Sequence, residues 1–366
     1  MPTTSIGVAL LGAGVFAKKE HLPAIKSCHL LSLKAIYSRS QTSAESLAAE
    51  AGGDVSAYFD SPAVPSKSLD DILQRDDIDA VIIAVAITAA PDLIKRALAA
   101  GKHVLSEKPI APDVKTAKEL MDYHQTSAKG VLWSVGENFR FWDPVHRAAG
   151  ILKELGGDLV AFSVTAYSFT DAKNPFYHSD WRQKPNFQGG YLLDGGVHMI
   201  AVLRTLLAAL GQSIENVSAH TTSIQPNLPP VDTVHAILRT NHERSGTYVS
   251  SVGMEVKRAG MEFEIVTDRG SVTYRPFKME IVTRQKDPEG TWEEKSEHAP
   301  LMWGVKEEVA AFVEGIVAGK LDPRLSSAEA LEDLRVVEAM LRSGEAQGVP
   351  VDISRGIFSL GLFSKP

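Results

Sequence analysis

The chain reads as an α/β protein: a doubly wound parallel sheet first, then an α+β domain with a large, mostly antiparallel open sheet. Three observations predict this. Length is the first, since 366 residues exceed what one hydrophobic core usually supports. Second, short apolar runs alternate with amphipathic ones over the first 140 or so residues. Third, alternating β-rich segments follow one another beyond residue 210 with no helix between them, the pattern of antiparallel pairing. The boundary is drawn at 140, giving domains 1–140 and 141–366.

In the first domain the predicted strands are Ile6–Leu11, Leu31–Tyr37, Ala80–Ala86, His103–Ser106 and Val131–Val135. They are apolar with little alternation, as expected where helices cover both sheet faces. Between them the helix candidates are Phe16–Ser27, Ala44–Ala51, Leu69–Arg75, Asp92–Ala99 and Val114–Ser127. Ser68 and Asp71 have capping-box spacing, and Gly101 and Gly130 stand where helices should stop. Pro23 should kink or split the first helix. A helix over Pro144–Leu155 and a strand over Leu159–Phe169 open the second domain. A polar, aromatic stretch (Thr170–Gln188) leads to a helical run, Gly190–Leu210. Strands are then expected at Val217–Ile224, Thr233–Arg239, Gly246–Val252, Met261–Val266, Ser271–Tyr274 and Met279–Val282, and helices at Val305–Val317 and Ala328–Ser343. The last should begin after Ser326 or Ser327 as N-cap.

Charge and composition narrow the function. Lys plus Arg number 38 against 45 Asp plus Glu, a net charge of −7, which argues against a protein built to neutralise nucleic-acid phosphates or an acidic membrane surface. Ala80–Ala90, read as the longest strongly apolar run, is about half of the roughly 20 residues a membrane helix needs. The first residues carry no basic segment of the secretory kind. Cys28 is the single cysteine, so neither an intrachain disulfide nor a cysteine zinc cluster is available. A cytosolic protein is expected, with a small-molecule partner.

Gly12-Ala13-Gly14-Val15-Phe16-Ala17 joins the first strand to the first helix. The first glycine permits the tight turn, and the second lets backbone approach a pyrophosphate at the helix N-terminus. Ala17 takes the third glycine's place, where only close helix–strand packing is needed. In this strand–turn–helix context the motif predicts a Rossmann dinucleotide site. The second strand ends Tyr37-Ser38-Arg39-Ser40, with no carboxylate to bind two ribose hydroxyls before Glu45. Ser38 and Arg39 suit a 2′-phosphate instead, favouring NADP(H) with NAD(H) as the alternative. Otherwise Arg39 is a solvated residue opening a helix.

Glu107-Lys108-Pro109 follows the fourth predicted strand. A lysine there points into the crevice at the carboxyl ends of parallel strands, placed to stabilise a developing alkoxide. Gly189-Gly190-Tyr191-Leu192-Leu193-Asp194-Gly195-Gly196-Val197-His198 is the other chemical segment. In a helix, Asp194 and His198 are i and i+4 and share a face. Histidine is suited to take a proton near neutrality, and a carboxylate would raise its basicity. Four glycines are costly in a helix, at about 1 kcal/mol each, which suggests that something bulky approaches the backbone. Alone, the Asp–His pair would be an ordinary surface interaction.

Together, the Gly-Ala-Gly turn, Gly101-Lys102-His103-Val104 leading into Glu107-Lys108-Pro109, and the Gly-Gly-x-x-x-Asp-x-Gly-x-His segment resemble the Gfo/Idh/MocA oxidoreductases. The likeness runs from Ile6 to about Ser343. It implies Lys108, Asp194 and His198 as the catalytic set. It implies cofactor contacts at Gly12, Gly14, Val15, Phe16, Ser38, Arg39, Ala86, Glu107 and Lys108. Trp181 and Arg182 resemble the family's substrate-side segment, and Glu137-Asn138-Phe139-Arg140 its strand-to-substrate junction. Tyr167 and His178 join the substrate candidates, with rim packing as the competing reading. The resemblance further implies a homodimer or higher homo-oligomer through the open sheet. One departure falls at Ala86-Ile87-Thr88-Ala89-Ala90-Pro91-Asp92, where relatives often carry Thr-Pro-Asn-x-x-His; the missing Asn and His leave that loop's cofactor contacts open. The expected reaction moves a hydride between nicotinamide and a secondary alcohol or carbonyl of a sugar, polyol or cyclic diol. Two rivals stand beside it: a non-catalytic NAD(P)-binding regulator or redox sensor, and a tetrapyrrole reductase that the polar site disfavours. No metal site is expected: the remaining histidines lack ligand spacing, and the acidic cluster at Asp70–Asp79 reads as a solvated helix and its flanks.

Overall fold

A computed structural model describes residues 5–128, 130–170, 175–254 and 260–353. The chain divides into two compact units, one of Met1–Phe141 with Trp303–Glu332 and the other of Trp142–Met302 with Asp333–Pro366. Residues 303–332 thus pack with the first unit, whereas the sequence reading draws a single cut at 140.

The first unit runs β1 (Ile6–Leu11), α1 (Leu22–Ser27), β2 (Leu31–Tyr37), α2 (Gln41–Ala51), β3 (Ser56–Tyr58), α3 (Leu69–Leu73), β4 (Ala80–Ile83), α4 (Ala90–Ala99), β5 (His103–Glu107), α5 (Val114–Ser127) and β6 (Trp133–Gly136). The strands form one six-stranded sheet in the order β3-β2-β1-β4-β5-β6, and every neighbouring pair is parallel. β1 and β4 are buried throughout, as a sheet covered on both faces requires. The expected split of the first helix occurs: Ala17–His21 is a π turn, and Pro23 lies in the first turn of α1, where its missing N–H costs nothing. Ser68 and Asp71 form the capping box in full. β4 stops at Ile83, three residues short of expectation, because the chain peels away there to line the Gly12 turn: Ala84 donates its N–H to the Leu11 carbonyl at 2.8 Å. β3 is too short to show a periodicity in the sequence.

The second unit runs α6 (Asp143–Leu155), β7 (Leu159–Tyr167), α7 (Asp180–Gln183), α8 (Tyr191–Ala208), β8 (Ile214–Thr222), β9 (Thr233–Thr240), β10 (Ser245–Ser251), β11 (Gly260–Thr267), β12 (Gly270–Arg275), β13 (Glu280–Lys286) and β14 (Trp292–His298). Then α9 (Val305–Ala318) returns to the first unit, α10 (Ser327–Glu345) follows with Ser326 accepting from the Glu329 N–H, and β15 (Val351–Asp352) ends the described chain. The nine-stranded sheet has the order β14-β13-β12-β11-β7-β10-β9-β8-β15. It is antiparallel except where β10 runs parallel to β7. β14 was missed in the sequence: its residues, WEEKSEH, are those of a charged edge strand rather than an apolar alternation. Helix α8 is long and apolar enough to cross a membrane by length and composition, but 61% of it is buried inside the protein, and it packs on α6, β10 and β11.

Candidate active site

The turn after β1 is built around Gly12. Its φ is +121°, and a Cβ there would lie 2.1 Å from the Ala84 carbonyl oxygen, so no side chain fits. A Cβ at Gly14 would meet nothing within 4 Å, which leaves open space in front of the helix that starts at Val15–Phe16. Lys18 donates to the Gly14 carbonyl at 3.0 Å, and Ala17 is buried, taking the third glycine's packing role. These residues fit a pyrophosphate: open backbone at a helix N-terminus, on the carboxyl edge of a parallel sheet.

At the end of β2, the Ser40 side chain caps α2 by accepting from the Ser43 N–H at 3.3 Å, and Ser38 Oγ accepts from the Ser40 N–H at 3.3 Å. Arg39 is exposed and makes no ion pair among the described residues. The guanidinium is therefore available to a ligand. The Tyr37 hydroxyl donates to Asp60 at 2.5 Å; burial first, and then this carboxylate, push the phenol far above its ordinary range.

β5 delivers Glu107 and Lys108 to the same edge. Its neighbours β4 and β6 are parallel to it, so the carboxyl ends of β1, β4 and β5 coincide. Lys108 is half-buried, its N–H donates to the Gly136 carbonyl at 3.1 Å, and the Lys108–Pro109 peptide is cis. Glu107 Oε1 lies 2.7 Å from His21 Nε2, and His21 is buried. Below β6, Glu137 Oε1 accepts the Phe139 N–H at 3.1 Å, Asn138 donates to the Trp303 carbonyl, and Arg140 donates to the Glu329 carbonyl at 3.1 Å. Ala86 begins the turn after β4, accepting from the Ala89 N–H at 2.9 Å.

In the second unit, α8 carries Asp194 and His198 one turn apart near its N-terminus, as expected. Asp194 is buried, and its Oδ2 accepts from Arg182 Nε at 2.8 Å. Arg182 also stacks on Trp181, with its guanidinium carbon 3.9 Å from the ring centroid. The residues were singled out separately in the sequence; their pairing was not, since the eleven residues between them include a loop. Tyr191 places a buried hydroxyl without a hydrogen-bond partner beside this pair, and its phenol is pushed up to about 12, chiefly by burial and then by Asp194. Tyr167 is the last residue of β7, and His178 packs edge-on against Tyr177 with ring centroids 5.9 Å apart.

The glycines of this segment need a correction. A Cβ at Gly190, whose φ is +49°, would lie 2.4 Å from the Pro229 carbonyl oxygen. At Gly189 it would strike the Leu341 side chain, and at Gly196 it would touch Val337. The bulky neighbour is thus the protein's own chain at three of the four; only Gly195 faces open space. Among the described residues, no group of three or more His, Cys, Asp or Glu side chains could hold a metal ion.

The dinucleotide turn on the carboxyl edge of a parallel sheet is that of a nicotinamide-dependent oxidoreductase with a Rossmann fold. The chain belongs to the Gfo/Idh/MocA family: residues 6–136 match its NAD-binding Rossmann fold and residues 154–353 its C-terminal alpha/beta domain. It is 43% identical to the dehydrogenase FPY6 of Fusarium mangiferae over 345 residues, covering 94% of this chain and 97% of that one. It is 33% identical to the dTDP-3,4-didehydro-2,6-dideoxy-alpha-D-glucose 3-reductase of Actinomadura kijaniata over 207 residues, 56% of this chain and 57% of the other. The crystal structure of an oxidoreductase from Thermotoga maritima superposes with a TM-score of 0.83 at 29% identity, covering 96% of this chain and 99% of that one.

Proposed function

We propose that this enzyme moves a hydride between NADP(H), with NAD(H) second, and a secondary alcohol or carbonyl of a sugar, polyol or cyclic diol. The observation that carries the reading is the shared sheet edge in the first unit: the Gly12–Gly14 turn and Lys108 both stand at carboxyl ends of parallel strands. The cofactor supplies the hydride donor or acceptor. Gly12, Gly14, Val15 and Phe16 hold its pyrophosphate end, Ser38 and Arg39 its 2′-phosphate, and Ala86 and Glu107 flank its other half. His198 takes the hydroxyl proton when the alcohol is oxidised and returns it when the carbonyl is reduced. Asp194, held by Arg182, orients the imidazole or binds a neighbouring hydroxyl, and the Lys108 ammonium lowers the energy of the alkoxide. Tyr167, Trp181 and Arg182 contact the substrate, the aromatic faces stacking on a ring.

Turnover is read as the change in nicotinamide absorbance with NADPH or NADP⁺ and a panel of monosaccharides, inositols and their keto forms. K108A and H198N are expected to lose roughly 10²–10⁴-fold in kcat while cofactor affinity stays near wild type. Turnover unchanged in both refutes the assignment, and no turnover of any panel member by the wild type favours the sensor alternative. R39A should weaken NADPH binding at least tenfold and leave NADH binding unchanged; equal loss of both removes the NADP preference.

A homodimer through the open sheet is part of the proposal. Ile237, on the face of β9 opposite its buried residues, is 57% exposed. I237E is expected to shift the molecular mass in solution, by light scattering, to that of a monomer.

A further inference from the structure

Helix α9 returns to the first unit and inserts an acidic residue where the mechanism above uses none. Glu308 is completely buried, and neither of its carboxyl oxygens has a hydrogen-bond partner. Its carboxyl lies against the backbone of Gly136: a Cβ there would stand 2.8 Å from Oε1 and 3.2 Å from Oε2. Gly136 is the ladder partner of Glu107, and its carbonyl accepts the Lys108 N–H. The buried carboxyl therefore sits one strand away from the proposed catalytic lysine.

The charged groups facing it come from every element packed around it. β5 supplies Glu107 and Lys108, the segment after β6 supplies Glu137 and Arg140, and the π turn supplies buried His21 on Glu107, with Glu20 at its edge. On α9 itself, Lys306 and Glu307 are exposed. Glu107 and Glu137 against Lys108 and Arg140, with His21 counted as neutral, give a formal balance of zero. An ionised Glu308 would add an uncompensated buried charge, which is costly; a neutral acid adds none. Burial first, then Glu107 and Glu137, raise its carboxyl well above the ordinary glutamate range, against the lowering effect of Arg140 and Lys108.

We propose that Glu308 is a positioning residue carried as the neutral carboxylic acid, whose proton keeps the Glu107–Lys108–Glu137–Arg140 set charge-balanced and so tunes the electrostatic environment of the Lys108 ammonium. When Glu308 releases that proton, the new negative charge favours the charged forms of Arg140 and Lys108. The coupling is reciprocal: each group's proton affinity depends on the other's charge. The role at Lys108 rests on the function proposed above, but the coupling can be read without turnover.

Two spectroscopic readouts on the full-length protein test it. First, the infrared spectrum at neutral pH should contain a protonated-carboxyl C=O stretch that is absent from E308Q, and from E308L should the Gln variant fail to fold. Second, in ¹³C-methylated protein, with the Lys108 resonance assigned by its loss in K108R, Lys108 should release its proton at lower pH in E308Q than in wild type. A Glu308 that only fills space leaves the lysine titration unmoved. Absence of the carboxyl band from the wild type, or coincident Lys108 titrations, overturns the proposal. An active K108A would instead overturn the catalytic role of Lys108 and leave the measured coupling standing.

Discussion

Gly12 in the first unit and Gly195 in the second both belong to glycine-rich segments at helix starts, yet they are glycines for opposite reasons. At Gly12 the protein fills the space: backbone oxygen lies 2.1 Å from where a Cβ would be, and φ is in the left-handed half. At Gly195, in the first turns of α8, nothing lies within 4 Å. Each segment also holds the converse case, open Gly14 beside Gly12 and crowded Gly190 before Gly195. A glycine required by the fold and one that leaves room for a ligand look alike in a sequence. They separate only by what surrounds each in the fold.

Alanine substitutions test that distinction. G12A combines backbone strain with overlap on a main-chain oxygen, and should cost about 3 kcal/mol or more in denaturant unfolding. G190A meets the Pro229 oxygen at 2.4 Å and should cost about 2 kcal/mol. G195A should do the reverse and stabilise by about 1 kcal/mol, since alanine is the better helix former and meets no obstacle. If its kcat/KM nevertheless falls, the open space at Gly195 is substrate space. G14A should change stability least, by a few tenths of a kcal/mol, while weakening NADPH binding. Equal destabilisation by G12A and G14A would erase the distinction.

Glu308 allows a comparison of opposite sign. Its carboxyl is raised in the fold, so above the ordinary glutamate range the unfolded chain has released the proton while the fold still holds it. Stability from this group is fully present in acid and is lost as pH rises towards the folded value. E308Q keeps the shape of the neutral acid and escapes that loss. Its stability advantage over wild type should therefore grow by up to about 1.4 kcal/mol per pH unit across that window, and vanish in acid. A constant difference across pH would mean that Glu308 is ionised in both states.

Where pattern and punctuation agreed, the sequence was a sufficient guide. β1, β2 and α5 have the bounds read from their apolar runs, and α5 is closed at its start by Asp113 accepting the Thr116 N–H. The Gly12 turn and the Asp194–His198 spacing were legible because both are local. β14 was hidden because an exposed edge strand needs no apolar alternation. Glu308 was invisible for a different reason. In its own helix it is one glutamate following another, and its burial comes from residues far away in the chain, at Gly136 and Glu107. The Arg182–Asp194 bond likewise depends on how a loop folds back onto α8.

The return of α9 bears on how the protein is made. Val305, Val309, Phe312, Val313 and Leu325 belong to the same buried cluster as Val8, Leu10, Ile36, Ile82 and Leu105. A nascent chain released at Phe141 has every strand of the cofactor sheet but lacks the helix that seals it, leaving wet apolar surface that invites association with other chains. Synthesis must pass through eight of the nine strands of the second sheet, β7 to β14, before that gap closes. The strands of the nucleotide-binding half thus emerge before those of the open sheet yet wait for α9 to be sealed, and cutting the gene at the apparent domain border would yield an insoluble fragment rather than a minimal nucleotide-binding module.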